Sequence, residues 1–241
     1  MRYILATIRL ILLAINTIMF IAIGRLLYAI THESPKVSQF IVRNWAKASM
    51  LTLNIRVNRT GLKPVNHAIL MSNHRSYIEI FSILSVYPAT IVAKKELGNW
   101  PILKGAVHLA RMILVDRGRT SSLIHTMQSI KKEIDNGGNV ILFPEGGIHL
   151  ERLTSPFKHG SFKIAYDTDT PVIPAAISYP DKGCHWGKES FIKNFYRQMG
   201  KWSTHTNLWI GAPIKAESME SLMQVTKETI DSKLLEFIEK E

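Results

Sequence analysis

Met71-Ser72-Asn73-His74-Arg75-Ser76-Tyr77-Ile78-Glu79-Ile80-Phe81 decides how this chain is read. The apolar run from Ala68 to Met71 predicts a buried strand, and Ser76-x-x-Glu79 before more apolar residues predicts a helix start. His74 then falls in the strand-to-helix turn, where a side chain can face a ligand. On one continuous helix, residues five apart point roughly 140° away from each other at 3.6 residues per turn. His74 and Glu79 therefore meet only if His74 lies outside the helix and Glu79 in its first turn. A base oriented by a carboxylate is the arrangement that activates a hydroxyl. The same residues also fit a capping box, with Ser76 capping the helix and Glu79 reaching back to the Ser76 N–H. Both readings stand at this point.

Working outward, apolar strand-like runs alternate with helical stretches. Strands are predicted near Leu53–Val57, Ala68–Met71, Thr90–Ala93, Met112–Val115, Asn139–Phe143, Val172–Ile177 and Asn207–Ile210. The clearest helix covers about Arg119 to Asn136, where Leu123, Met127, Ile130 and Ile134 repeat at helical spacing and Gly137-Gly138 provides a stop. A last helix is predicted over Met219 to Ile238, with Leu222, Val225, Ile230, Leu234 and Phe237 inward. Such alternation implies an α/β domain, a mostly parallel sheet flanked by helices. Pro180 to Glu189 reads as a surface insertion. His74, Asp116-Arg117 and Glu145 each follow a predicted strand, and ligands of open α/β sheets bind outside the carboxyl ends of strands.

With 241 residues the chain has the length of one domain. Its formal charge is +11, from 30 Lys and Arg against 19 Asp and Glu, which favours an anionic partner. No zinc finger, aromatic RNA-binding block or basic heptad helix is present, so no nucleic acid partner is expected. The amino terminus points to membrane lipids instead. Leu10 to Gly24 is uncharged and mostly apolar, bracketed by Arg9 and Arg25. As a helix it reaches about 22 Å, short of the roughly 30 Å hydrocarbon core. Extension to Tyr3 and Ile30 gives a full span only if both arginines snorkel or face protein. A spanning or half-inserted anchor, a cleaved signal segment and a buried helix compete for this stretch, and the lack of a small-x-small site disfavours cleavage. Ser38 to Leu51 is amphipathic, suited either to a membrane interface or to packing on a core. We therefore divide the chain into a membrane anchor, residues 1–51, and a main domain, residues 52–241. The excess of Arg25, Lys36, Arg43 and Lys47 over Arg2 and Arg9 places the main domain on the cytoplasmic side.

A second signal is Asn139-Val140-Ile141-Leu142-Phe143 followed by Pro144-Glu145-Gly146-Gly147, a strand ended by proline with glycines that free the backbone. Taken with the first stretch, the chain resembles the glycerolipid acyltransferase family that includes 1-acylglycerol-3-phosphate acyltransferase. Asn73-His74 with Glu79 resembles that family's Asn-His-x-x-x-x-Asp block. Lys94-Lys95-Glu96-Leu97 with Pro101, Gly105 and Val115-Asp116-Arg117 resembles its second block, and Phe143-Pro144-Glu145-Gly146 its third. Pro174 in an apolar strand resembles the fourth, with Phe157-Lys158-x-Gly160 between. The similarity runs in order from about residue 68 to 177. There are two departures: Glu79 replaces the usual Asp, and Gly147-Ile148 replace the usual Thr-Arg.

The resemblance implies transfer of a fatty acyl group from acyl-CoA or acyl carrier protein to a lysophospholipid hydroxyl, with 1-acylglycerol-3-phosphate as acceptor and phosphatidic acid as product. It implies His74 as general base and Glu79 as its orienting carboxylate. It also implies Arg117, with Lys94 and Lys95, at the acceptor phosphate, and Glu145 and Gly146 in the substrate-binding turn. Backbone N–H groups near Gly146 or at the start of the helix after His74 are candidate oxyanion donors. No cofactor beyond the acyl donor and no metal is expected, as the nine histidines form no ligand pattern. The loss of Thr-Arg leaves another lysolipid acceptor, or a non-catalytic lipid-binding protein, as alternatives. The single cysteine, Cys184, excludes an internal disulfide.

Overall fold

A computed structural model describes residues 1–31, 33–116 and 120–240; Arg117 and the side chain of Leu123 lie outside the described residues. In chain order the elements are α1 (Arg2–Thr31), α2 (Pro35–Leu53), β1 (Ile55–Gly61), β2 (Ile69–Ser72), α3 (Ile78–Val86) and β3 (Thr90–Lys94). There follow α4 (Pro101–Leu109), β4 (Ile113–Val115), α5 (Thr120–Asp135), β5 (Val140–Leu142), α6 (His159–Asp167) and β6 (Val172–Ser178). The chain closes with α7 (Phe191–Met199), β7 (Thr204–Ile210) and α8 (Met219–Glu239).

All seven expected strands form one sheet, ordered β1-β7-β6-β2-β5-β3-β4. Every pairing is parallel except β6 with β7. Five neighbours, β6, β2, β5, β3 and β4, thus share one direction and end at one edge. β2 lies between β5 and β6 and is buried on both faces, which explains its unbroken apolar sequence. Pro174 is held in β6 opposite Met71, and its carbonyl accepts the Gly211 N–H at 2.8 Å.

Helices cover both faces of the sheet. Ile130 is buried within α5, with Met127 and Ile134 packed beside it. In α8 the inward stripe is Leu222, Thr226, Ile230 and Leu234, each four residues after the last. Val225 therefore points outward, contrary to expectation, and is 40% exposed.

The amino-terminal helices belong to the same packed body. Ile41, Val42, Ala46 and Leu53 of α2 are buried, so this helix packs on the core and leaves Phe40 and Leu51 outside. The helix α1 packs against α2, α7 and α4. A Cβ on Gly24 would stand 3.0 Å from Ile41 and 3.1 Å from Leu109, so glycine permits this close approach. Arg9 faces protein: its guanidinium donates to the Met199, Lys201 and Trp202 carbonyls at 2.7, 2.5 and 2.7 Å. Trp45 donates its indole N–H to Thr17 at 3.0 Å, and Tyr28 its hydroxyl to the Leu109 carbonyl at 3.0 Å. The other side of α1 is a continuous apolar stripe through Ile4, Ile8, Ile11, Ile15, Ile18 and Leu26. Among the described residues, this is the one helix long and apolar enough to cross a membrane.

Candidate active site

The turn after β2 holds the first block in place by its own side chains. Asn73 is fully buried and clasps β6, donating to the Ile177 carbonyl and accepting the Ile177 N–H, both at 2.9 Å. His74 follows outside α3, while Glu79 sits in the first turn of that helix. The two side chains meet, with Nδ1 of His74 2.5 Å from Oε2 of Glu79. Oε1 of the same carboxylate accepts the Ser76 N–H at 2.8 Å and the Arg75 N–H at 2.6 Å. The capping interaction and the His–Glu pair therefore coexist, because each uses a different oxygen. The Ser76 hydroxyl makes a 3.5 Å contact to the Ile78 N–H and also pairs with the Tyr179 hydroxyl, so the box is one-sided.

His74 lies nearly flat on Phe143, with ring centroids 4.1 Å apart and planes 18° from parallel. Phe143 and Glu79 thus fix the imidazole from its face and its Nδ1 edge. An ionised Glu79 accepts the Nδ1 proton, which leaves the Nε2 lone pair as the basic position. The side chain is 18% exposed, while Glu79 is fully buried.

Glu145 occupies a different place from the substrate contact expected of it. It is 2% exposed, and both oxygens face protein. Oε1 accepts the His74 N–H at 2.9 Å, and Oε2 the Ser155 N–H at 2.7 Å. Arg75, also buried, donates to the two oxygens at 2.9 and 3.2 Å and to the Leu153 carbonyl at 2.8 Å. Sequence reasoning passed over Arg75, although a buried carboxylate at a strand end requires a cation or several donors. Gly146 takes a left-handed φ of 77°, and its N–H closes a turn onto the Phe143 carbonyl at 3.0 Å. A Cβ there would stand 3.3 Å from the methylenes of Lys158, which lie over this turn.

These bonds also alter the expected oxyanion donors. The N–H groups of His74, Arg75, Ser76 and Gly146 are already directed at Glu145, Glu79 and Phe143. Lys94 and Lys95 are exposed at the carboxyl end of β3, with Lys95 3.7 Å from Asp116. Strands lie about 4.8 Å apart, so this end is some 10 Å along the edge from β2. Among the described residues, no group of three His, Cys, Asp or Glu side chains is arranged to hold a metal ion.

Residues 180–189 pack beside the turn that carries His74 instead of standing out as a surface insertion. The Trp186 N–H donates to the Arg75 carbonyl at 2.8 Å, and its ring meets Tyr77 and Phe191 edge-on. Cys184 is buried, which pushes its thiol up to about 11.

Parallel strands that deliver a histidine and two carboxylates to one edge match a known acyl-transfer scaffold: residues 54–178 fit the acyltransferase family, and the chain belongs to it. It is 27% identical to a 1-acyl-sn-glycerol-3-phosphate acyltransferase of Neisseria gonorrhoeae over 69% of this chain and 66% of that one. A human protein named 1-acyl-sn-glycerol-3-phosphate acyltransferase alpha is 33% identical over 54% of this chain and 48% of its own. The lyso-ornithine lipid O-acyltransferase of Rhizobium meliloti is 30% identical over 60% and 52% respectively. The match to these relatives thus spans from about half to two thirds of their length. The crystal structure of the 1-acyl-sn-glycerophosphate acyltransferase of Thermotoga maritima shares the fold at TM-score 0.68 and 22% identity, covering 96% of this chain and 97% of that one.

Proposed function

We propose that this protein moves a fatty acyl group from acyl-CoA or acyl carrier protein to the free hydroxyl of 1-acylglycerol-3-phosphate, forming phosphatidic acid. The observation that carries the reading is the 2.5 Å contact between His74 Nδ1 and Glu79, which leaves Nε2 as a base at the carboxyl edge of the sheet. Nε2 takes the acceptor's hydroxyl proton as that oxygen attacks the thioester carbonyl. The tetrahedral adduct collapses, the C–S bond breaks, and His74 returns the proton to the departing thiolate. Glu79 stabilises the imidazolium between these steps. An intact, oriented base argues against an eroded, non-catalytic site.

Glu145, Arg75 and Ser155 hold the turn that carries His74, whereas Arg117, Lys94, Lys95 and Lys158 are the cations assigned to the acceptor phosphate. The apolar stripe of α1 faces membrane lipids, which brings the lysolipid acceptor within reach of a domain on the cytoplasmic side. A second reading, a lyso-aminolipid acceptor, is favoured by one observation: Gly147-Ile148 stand where the family carries Thr-Arg, and the Rhizobium relative is named for lyso-ornithine lipid. Purified protein given labelled acyl-CoA or acyl carrier protein and a panel of lysolipids tests both. Product from lysophosphatidic acid alone supports the first reading, and preference for an acceptor lacking phosphate the second. No transfer to any lysolipid overturns both.

A further inference from the structure

A third donor reaches Oε1 of Glu79 from outside the turn that carries His74. Tyr179 follows β6 directly and is 2% exposed, held edge-on against His185 with ring centroids 5.8 Å apart. Its hydroxyl donates to Oε1 of Glu79 at 3.2 Å. Oε1 therefore gathers three donors, Arg75 N–H, Ser76 N–H and Tyr179 O–H, while Oε2 keeps only His74. The two N–H groups come from adjacent residues of one turn, and Tyr179 is the donor that comes from another element.

A glutamate has one more freely turning bond than an aspartate, and its terminal torsion is broad. Two N–H groups on one side leave the carboxylate free to pivot about Oε1. A hydroxyl on a rigid, buried ring restricts that pivot and keeps Oε2 aimed at Nδ1. We propose that Tyr179 is a positioning residue for the reaction, the element that lets a glutamate do at position 79 what a shorter aspartate does elsewhere in the family. This rests on the reading of His74 and Glu79 given above. Burial, with the charge of Glu79 next in weight, holds the phenol well above its ordinary pKa, so it remains a donor throughout the working range. The hydroxyl also draws charge from the carboxylate.

The test is a double-mutant cycle of Tyr179→Phe and Glu79→Asp in the full chain, solubilised in detergent, read by turnover and by an NMR pH titration of His74. Phenylalanine keeps the ring and its packing. Tyr179→Phe should lower kcat roughly tenfold with KM values unchanged, as expected for an interaction that acts in the transition state. It should also move the His74 NMR titration, a readout that a merely structural role leaves unchanged. In the Glu79→Asp background, where the carboxylate is too short to span both partners, the further effect of Tyr179→Phe should be under about twofold, and that non-additivity is the signature of direct coupling. An unchanged His74 midpoint in Tyr179→Phe overturns the proposal, as does an equal loss in both backgrounds. Should the natural protein show no acyl transfer, the reading of the reaction fails, whereas the His74 titration still decides the role of Tyr179.

Discussion

Arg75 and Glu145 form a buried ion pair directly beneath the turn that carries His74, joined at 2.9 and 3.2 Å, although 69 residues separate them in the chain. The guanidinium holds the carboxylate that in turn holds the His74 N–H. Removing one partner of such a pair leaves an uncompensated buried charge, at a cost of about 3–5 kcal/mol. Arg75→Met should therefore lower the unfolding temperature and abolish turnover, whereas Glu145→Gln, which still accepts hydrogen bonds, should do less harm. Thermal unfolding in detergent checks this, and an Arg75→Met protein as stable as the natural one contradicts it.

His74→Ala should reduce acyl transfer by about 10²–10⁴-fold, the usual contribution of acid–base catalysis. The fold should survive, because the ring is at the surface of the core. Glu79→Gln should fall close to the same level, and Glu79→Asp should stay clearly above it by retaining a charged partner for His74. Normal turnover by His74→Ala would falsify the mechanism.

Phosphate recognition is tested at Arg117. Charge-assisted contacts contribute about 1.5–3 kcal/mol, so Arg117→Ala should raise the KM for a phosphate-bearing acceptor by about tenfold or more. The KM for the acyl donor should stay constant. Equal acceptor KM values before and after substitution would direct attention to lyso-aminolipids.

Membrane binding should depend on the outer stripe of α1. Ile11 and Ile15 are 54% and 57% exposed, so Ile11→Lys with Ile15→Lys leaves the inner packing untouched. The doubly substituted protein should remain folded but fail to float with lipid vesicles. The natural protein should stay bound at about 1 M salt, where the screening length is about 3 Å and charge attraction is lost. Release by salt alone would mean that the stripe is not embedded. Deleting residues 1–30 should instead destabilise the domain, since it uncovers α2, α4 and α7.

Cys184 should resist alkylation at about pH 8, well below the raised thiol pKa, and react once the protein unfolds. Mass spectrometry before and after denaturant reads the difference. Rapid labelling of folded protein would place residues 180–189 away from the core.

Much of this architecture was legible in the chain. Central strands buried on both faces are unbroken apolar runs, and His74, Asp116 and Glu145 reach one edge because the strands before them are parallel. The capping box and the catalytic pair could not be separated by spacing alone, because one carboxylate has two oxygens and serves both. Long-range partners left no periodic trace. Arg75 finds Glu145 and Tyr179 finds Glu79 only through sheet order, which places β6 and β5 on either side of β2. Val225 was misplaced because an inward stripe at intervals of four admits a threonine, Thr226, where an apolar residue was sought.

The three carbonyls that hold Arg9 lie 190, 192 and 193 residues downstream, and the Asn54 amide, just before the first strand, bonds to Trp202, 148 residues on. None of these bonds forms until the ribosome has passed Trp202. The most apolar helix thus leaves the ribosome long before these protein neighbours and waits for them. During that interval, lipid is the surroundings in which its side chains are least exposed to water. If the outer stripe of α1 faces lipid as proposed, the order of translation lets it meet a bilayer before the sheet edge that carries His74 is complete.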